Sequence, residues 1–120
     1  MKEYLSEMID NLGKLIAIKS VKGDPEPNAP YGIETLKALE FMLELGKKYG
    51  MKAVNVDGRV GYLEYGEGED MIGILLHLDV VPEQDGWLSD PYTLTQKEEY
   101  LYGRGVSDDK GPAIAAFYAV

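Results

Sequence analysis

The chain has 120 residues, 45% of them hydrophobic, with no cysteine and with 21 acidic against 12 basic side chains, a formal net charge of −9. That size and composition describe one globular domain at most and argue against a disordered segment. The acidic balance argues against nucleic acid and anionic membrane surfaces, both of which call for a basic face, and the lack of cysteine excludes thiolate zinc sites, disulfides and a cysteine nucleophile.

Leu5, Met8, Ile9, Leu12, Leu15 and Ile16 recur at helical spacing and predict an amphipathic helix from about residue 3 to 19. The start of the chain has no apolar signal core, and no run approaches the ~20 apolar residues of a membrane span. A cytoplasmic protein without a membrane partner is the expectation. Pro25, Pro27 and Pro30 deny a helix its hydrogen bonds, so residues 23–30 read as a loop. A second helix carries Leu36, Leu39, Met42 and Leu43. Lys47 and Lys48 fall in its last turn, and Gly50 follows as a stop.

Strands come next. Ala53 to Val56 runs into Asp57-Gly58, a hairpin signal, and Val60 to Tyr65 returns. Met71 to Leu78 is nearly all apolar, as a strand covered on both faces should be. Thr93 to Gln96 and Tyr100 to Tyr102 read as a second hairpin around Lys97-Glu98-Glu99. Pro112 suits the first turn of a helix that continues through Ala113 to Val120. Helices, a run of strands and a helix make an α/β domain, with a mixed sheet flanked by helices.

Two places could carry chemistry. His77, the single histidine, ends the apolar run two residues before Asp79. In an extended segment their side chains share one side, so Asp79 can orient the imidazole. Ligands in open α/β sheets bind at the carboxyl ends of strands. A strand-end histidine beside a turn aspartate is also an ordinary structural feature. The second place is the turn Gly103-Arg104-Gly105-Val106-Ser107-Asp108-Asp109-Lys110-Gly111, whose glycines relax the backbone around two adjacent carboxylates. Such a pair repels unless something positive lies near. Lys110 or a metal could supply that charge, and Asp109 could equally be a plain helix N-cap. Ser107 has no second histidine to activate it. Gly66-x-Gly68 lacks the rest of a dinucleotide fingerprint. Glu98-Glu99 reads as a solvated hairpin tip, and Trp87 as a packing anchor for a long loop, with lining of a substrate site as the alternative.

Taken together, His77-Leu78-Asp79-Val80-Val81-Pro82, Gly86-Trp87, Asp90-Pro91-Tyr92 and Leu101 to Pro112 resemble the co-catalytic zinc exopeptidases, a family of aminoacylases, carboxypeptidases and bacterial dipeptidases. The early Gly23-Asp24-Pro25 loop and the Asn55-Val56-Asp57-Gly58 hairpin look most like the broad-specificity, carnosinase-like Xaa-His dipeptidase branch. The resemblance implies that His77 binds one zinc ion and that Asp79, on the catalytic side, supports that histidine without touching metal. It implies that Asp108 bridges two zinc ions, commonly with a cis peptide bond after it; Asp109 and Lys110, from the reading of the turn, are candidate supporting residues. A water shared by the two metals would attack the scissile carbonyl of a short peptide.

In such a family the remaining metal ligands, the catalytic glutamate and a lid domain come later in the chain. Residues 1–120 therefore read as the N-terminal part of a catalytic domain, expected to be inactive alone. A deacylase of N-acyl amino acids is the alternative within the family. A non-catalytic α/β fragment that self-associates is the alternative outside it, because the strand from Met71 to Leu78 and the helix bearing Ile114, Phe117 and Val120 would lack part of their cover.

Overall fold

The computed structural model describes residues 2–120. A single 3-10 turn, Lys2–Tyr4, leads into α1, Leu5–Ile16, and then α2, Ile33–Lys48. Two strands, β1 (Lys52–Val56) and β2 (Val60–Glu64), form one antiparallel ribbon. β3 (Thr95–Lys97) and β4 (Tyr100–Tyr102) form a second, and α3, Lys110–Ala119, closes the order.

α1 is helical where its apolar residues recur every three or four positions, and that stripe becomes the core. Leu15 and Ile16 are fully buried and pack with Leu12, Ala38, Met42, Leu45, Ile114 and Phe117. Each such side chain removed from water contributes about 1.5–3 kcal/mol. α1 packs on α3, while α2 packs on the β1–β2 ribbon. Polar contacts tie the layers: Asn11 donates to the Tyr118 hydroxyl at 2.8 Å, and the Tyr49 hydroxyl donates to the Glu7 carboxylate. α2 ends as its sequence suggests, with Gly50 at φ 78° just beyond it.

The Asp57-Gly58 hairpin forms with both residues at positive φ, 57° and 68°, and Arg59 N–H donates to the Val56 carbonyl at 3.0 Å. This is the mirror-image turn whose twist matches its strands. Val56 pairs with Val60 and Lys52 with Glu64. In the second ribbon Thr95 pairs with Tyr102 and Lys97 with Tyr100.

The α/β class holds, but the strands divide between two antiparallel ribbons instead of joining one mixed sheet. Met71 to Leu78 joins neither. It lacks regular secondary structure, and Met71, Ile72 and Leu75 are 87%, 93% and 96% exposed, the reverse of a strand covered on both faces. A strand exists through hydrogen bonds to a neighbouring backbone, and among the described residues no strand pairs with this one. Only its end is fastened. The Ser20 hydroxyl donates to the Leu78 carbonyl at 2.7 Å, and Val80 N–H donates to the Ser20 carbonyl at 3.0 Å. The last helix is better covered than expected: Ile114 and Phe117 are buried, and Val120 alone of the three is open to solvent.

Candidate active site

His77 and Asp79 sit at the fastened end of the 71–80 segment. Asp108 and Asp109 sit in the turn that enters α3. Folding brings these two places together. His77 Nε2 lies 2.8 Å from Asp108 Oδ1, although the residues are 31 apart in sequence. On the other side of the ring, Nδ1 lies 3.1 Å from the Asp79 carbonyl oxygen and 3.3 Å from its carboxylate Oδ1. Asp109 occupies the N-cap position of α3 but makes no side-chain cap bond there. Its Oδ2 instead accepts from the His77 backbone N–H at 3.2 Å. The Asp108–Asp109 peptide bond is cis.

The imidazole and its backbone are thus held from three directions by aspartates. Partial burial alone would lower the proton affinity of the ring. The Asp108 hydrogen bond, the Asp79 carbonyl and the two negative charges outweigh that and hold it above its usual value of 6.5. Groups that hold a proton between Nε2 and Oδ1 are also groups that can hold a divalent cation there.

Lys110 does not supply the charge between the aspartates. It is fully buried, and its ammonium points away from them, donating to the carbonyls of Leu15 at 2.9 Å and Ile18 at 2.7 Å. Those oxygens belong to the C-terminal turn of α1 and its exit, where the helix dipole is negative; each also accepts a backbone N–H, from Ile18 at 3.2 Å and Ser20 at 2.8 Å. They compensate part of the cost of burying an ammonium. Burial still pushes its pKa down to about 8. His77, not Lys110, relieves the repulsion of the paired aspartates.

Two glycines let this turn form. Gly105 sits at φ 98°, and a Cβ there would meet Val80 Cγ1 at 2.9 Å. A Cβ on Gly111 would lie 2.0 Å from the Val106 carbonyl oxygen. Around the site lies a cavity of about 300 Å³ lined by His77, Asp79, Trp87, Arg104, Ser107 and Asp108. Trp87 is half-buried, with the Arg104 guanidinium 5.3 Å above its ring. It lines the cavity.

Zinc binds imidazole nitrogen and carboxylate oxygen at about 2.0–2.2 Å. Donors of those two types face each other at 2.8 Å and would need to part by roughly half an ångström to form one edge, about 3.4 Å, of a tetrahedral zinc site. They do not complete one, because a catalytic zinc ion takes three protein ligands, and among the described residues no group of three or more metal-binding side chains converges. Nothing in the sequence signalled Ser20, whose fully buried hydroxyl fastens the His77 segment. Lys110 was visible in the motif, but the direction of its side chain was not.

Residues 73–120 match the profile of Peptidase family M20/M25/M40. The "Putative dipeptidase" of Staphylococcus epidermidis is 44% identical over 98% of this chain and 26% of its own length. The "Putative dipeptidase YtjP" of Bacillus subtilis is 43% identical over 95% of this chain and 25% of its own. The crystal structure of human carnosine dipeptidase 1 superposes with a TM-score of 0.76 at 28% identity, covering 98% of this chain and 28% of that one. The chain therefore spans about a quarter of the length of the relatives it matches. These matches support a relation to the M20/M25/M40 peptidases.

Proposed function

We propose, from this relation to the M20/M25/M40 peptidases, that the chain is the N-terminal part of the catalytic domain of a zinc-dependent dipeptidase acting on short peptides. One observation carries the reading: the contact of His77 Nε2 with Asp108 Oδ1 at 2.8 Å, which joins two motifs at the rim of one cavity. In this reading His77 and Asp108 would be among the residues that hold metal. Bound zinc would lower the pKa of a water and polarise the scissile carbonyl. The chain's own residues do the rest. Asp79 fixes the orientation of the ring through the contact of its carbonyl with Nδ1, which leaves Nε2 facing Asp108; with metal bound, Nδ1 would carry the proton and Nε2 would be free to ligate. Asp109 fixes the backbone of His77 from behind. Trp87 and Arg104 wall the cavity. Among the described residues no glutamate lines that cavity to act as a base, so the 120-residue chain by itself is expected to hydrolyse nothing. Cytoplasmic residence and self-association through the exposed 71–76 segment belong to the same proposal.

A chimera tests it. Residues 1–120 would replace the matching segment of the Bacillus subtilis relative, and zinc-dependent dipeptide hydrolysis would be assayed against that parent. The chimera should hydrolyse dipeptides, and His77→Ala within it should abolish turnover. A folded, zinc-loaded chimera that is inactive while the parent is active would refute the reading. So would dipeptide hydrolysis by the isolated chain that survives His77→Ala.

A further inference from the structure

Both halves of the candidate site are fastened to one short stretch of backbone far from either motif. The His77–Asp79 half is held by Ser20, through the hydroxyl to the Leu78 carbonyl at 2.7 Å and the carbonyl to Val80 N–H at 3.0 Å. The Asp108 half is held by Lys110, whose ammonium reaches the Leu15 and Ile18 carbonyls at 2.9 and 2.7 Å. Leu15, Ile18 and Ser20 lie within the exit of α1. Ser20 and Lys110 are the two fully buried polar side chains among the described residues, both at 0% exposure. Elsewhere the 71–77 segment joins no ladder, and its direct ties to the α3 turn are the contacts of the site itself, His77 N–H to Asp109 and His77 Nε2 to Asp108.

We propose that Ser20 and Lys110 are positioning residues: the exit of α1 is the common platform that sets the distance between His77 and Asp108. Neither side chain lies at the reacting centre. Lys110 fixes the start of α3, two residues after Asp108, through bonds that a buried ammonium cannot exchange for water. Ser20 fixes the chain one residue after His77 and one residue after Asp79. Gly105, at positive φ, lets the Lys110 stem pass beneath the turn, since a Cβ there would stand only 3.1 Å from Lys110 Cδ. The inference rests on the proposed metal-binding role of His77 and Asp108, and its geometry stands apart from that role.

The test uses the full chain with two variants and two readouts. Lys110→Met keeps the stem and removes the donors. Ser20→Ala removes one hydroxyl. Zinc affinity is measured by calorimetry with Zn²⁺ alone. The second readout is the ¹⁵N shift of the His77 imidazole at fixed pH, free of overlap because the chain has a single histidine. Retained helicity is checked by circular dichroism. Each folded variant should lose about tenfold to a hundredfold in zinc affinity, the range for residues that orient metal ligands. Each should also shift Nε2 away from its Asp108-bonded position. Wild-type affinity together with a wild-type Nε2 shift in a folded variant overturns the proposal. If Lys110→Met does not fold, Ser20→Ala decides by the same criteria. If the wild-type chain takes up no zinc, as two ligands alone allow, the imidazole shift decides whether the platform sets the contact: a wild-type Nε2 shift in both folded variants overturns the proposal.

Discussion

Substituting Gly111 by alanine separates helix propensity from packing, because the two give opposite signs. Gly111 is the second residue of α3. On propensity alone, alanine in place of a helical glycine stabilises by about 1 kcal/mol. Here the new Cβ would stand 2.0 Å from the Val106 carbonyl oxygen and 3.1 Å from its carbon. An ordinary contact begins at 3.4 Å, so something must move by more than an ångström. The obstacle is backbone, and that backbone is itself tied: Val106 N–H donates to Gly103 at 3.2 Å, and Lys110 N–H to Gly105 at 2.9 Å. Overpacking costs about 1–3 kcal/mol, and an immovable carbonyl puts this case at the upper end. Subtracting the propensity gain leaves about 2 kcal/mol of destabilisation, roughly 30-fold in the unfolding equilibrium. Urea unfolding followed by circular dichroism, with the single Trp87 as a second probe, measures it. Gly73→Ala is the control, since nothing lies within 4 Å of its Cβ, and it should fall within about 0.5 kcal/mol of wild type. A Gly111→Ala variant as stable as wild type, or more stable, would refute the reasoning.

Ile16→Ala empties a fully buried position and should cost about 2–5 kcal/mol by the same unfolding assay, whereas Leu5→Ala at 53% exposure should cost well under half of that. The Glu83 carboxyl, held by the Tyr92 hydroxyl at 2.6 Å and by Lys19 at 3.0 Å, is pushed down to about 2 from 4.5. Its stabilising contribution is therefore complete above about 4.5 and is lost as pH falls toward about 2; an NMR titration of Glu83 should move up in Tyr92→Phe, and an unchanged midpoint would sink the assignment. Sedimentation should show concentration-dependent association of the wild-type chain that Leu75→Asp weakens, since Leu75 is 96% exposed in an unpaired apolar run. A wild-type chain that stays monomeric at high concentration would end that idea.

Local signals in the sequence carried well wherever the interactions that realise them are local. The α1 stripe from Met8 to Ile16, the Gly50 stop after α2 and the Asp57-Gly58 turn all form as read, because i to i+4 bonds, positive-φ caps and two-residue turns need only neighbours in the chain. The juxtaposition of His77 with Asp108 was legible in a different way, through the pairing of two motifs that resemble a known family.

Three features were decided only by tertiary structure. Met71 to Leu78 has the composition of a central strand, but a ladder requires a second backbone alongside, and none pairs with it among the described residues. Asp109 stands where an N-cap belongs, yet its carboxylate serves the His77 amide across the site. Lys110 sits beside two aspartates in sequence, yet its ammonium is spent on carbonyls at the exit of α1, 95 and 92 residues earlier in the chain. Sequence names the donors and acceptors; which of them meet depends on where packing places a helix end, and that is a property of the assembled layers.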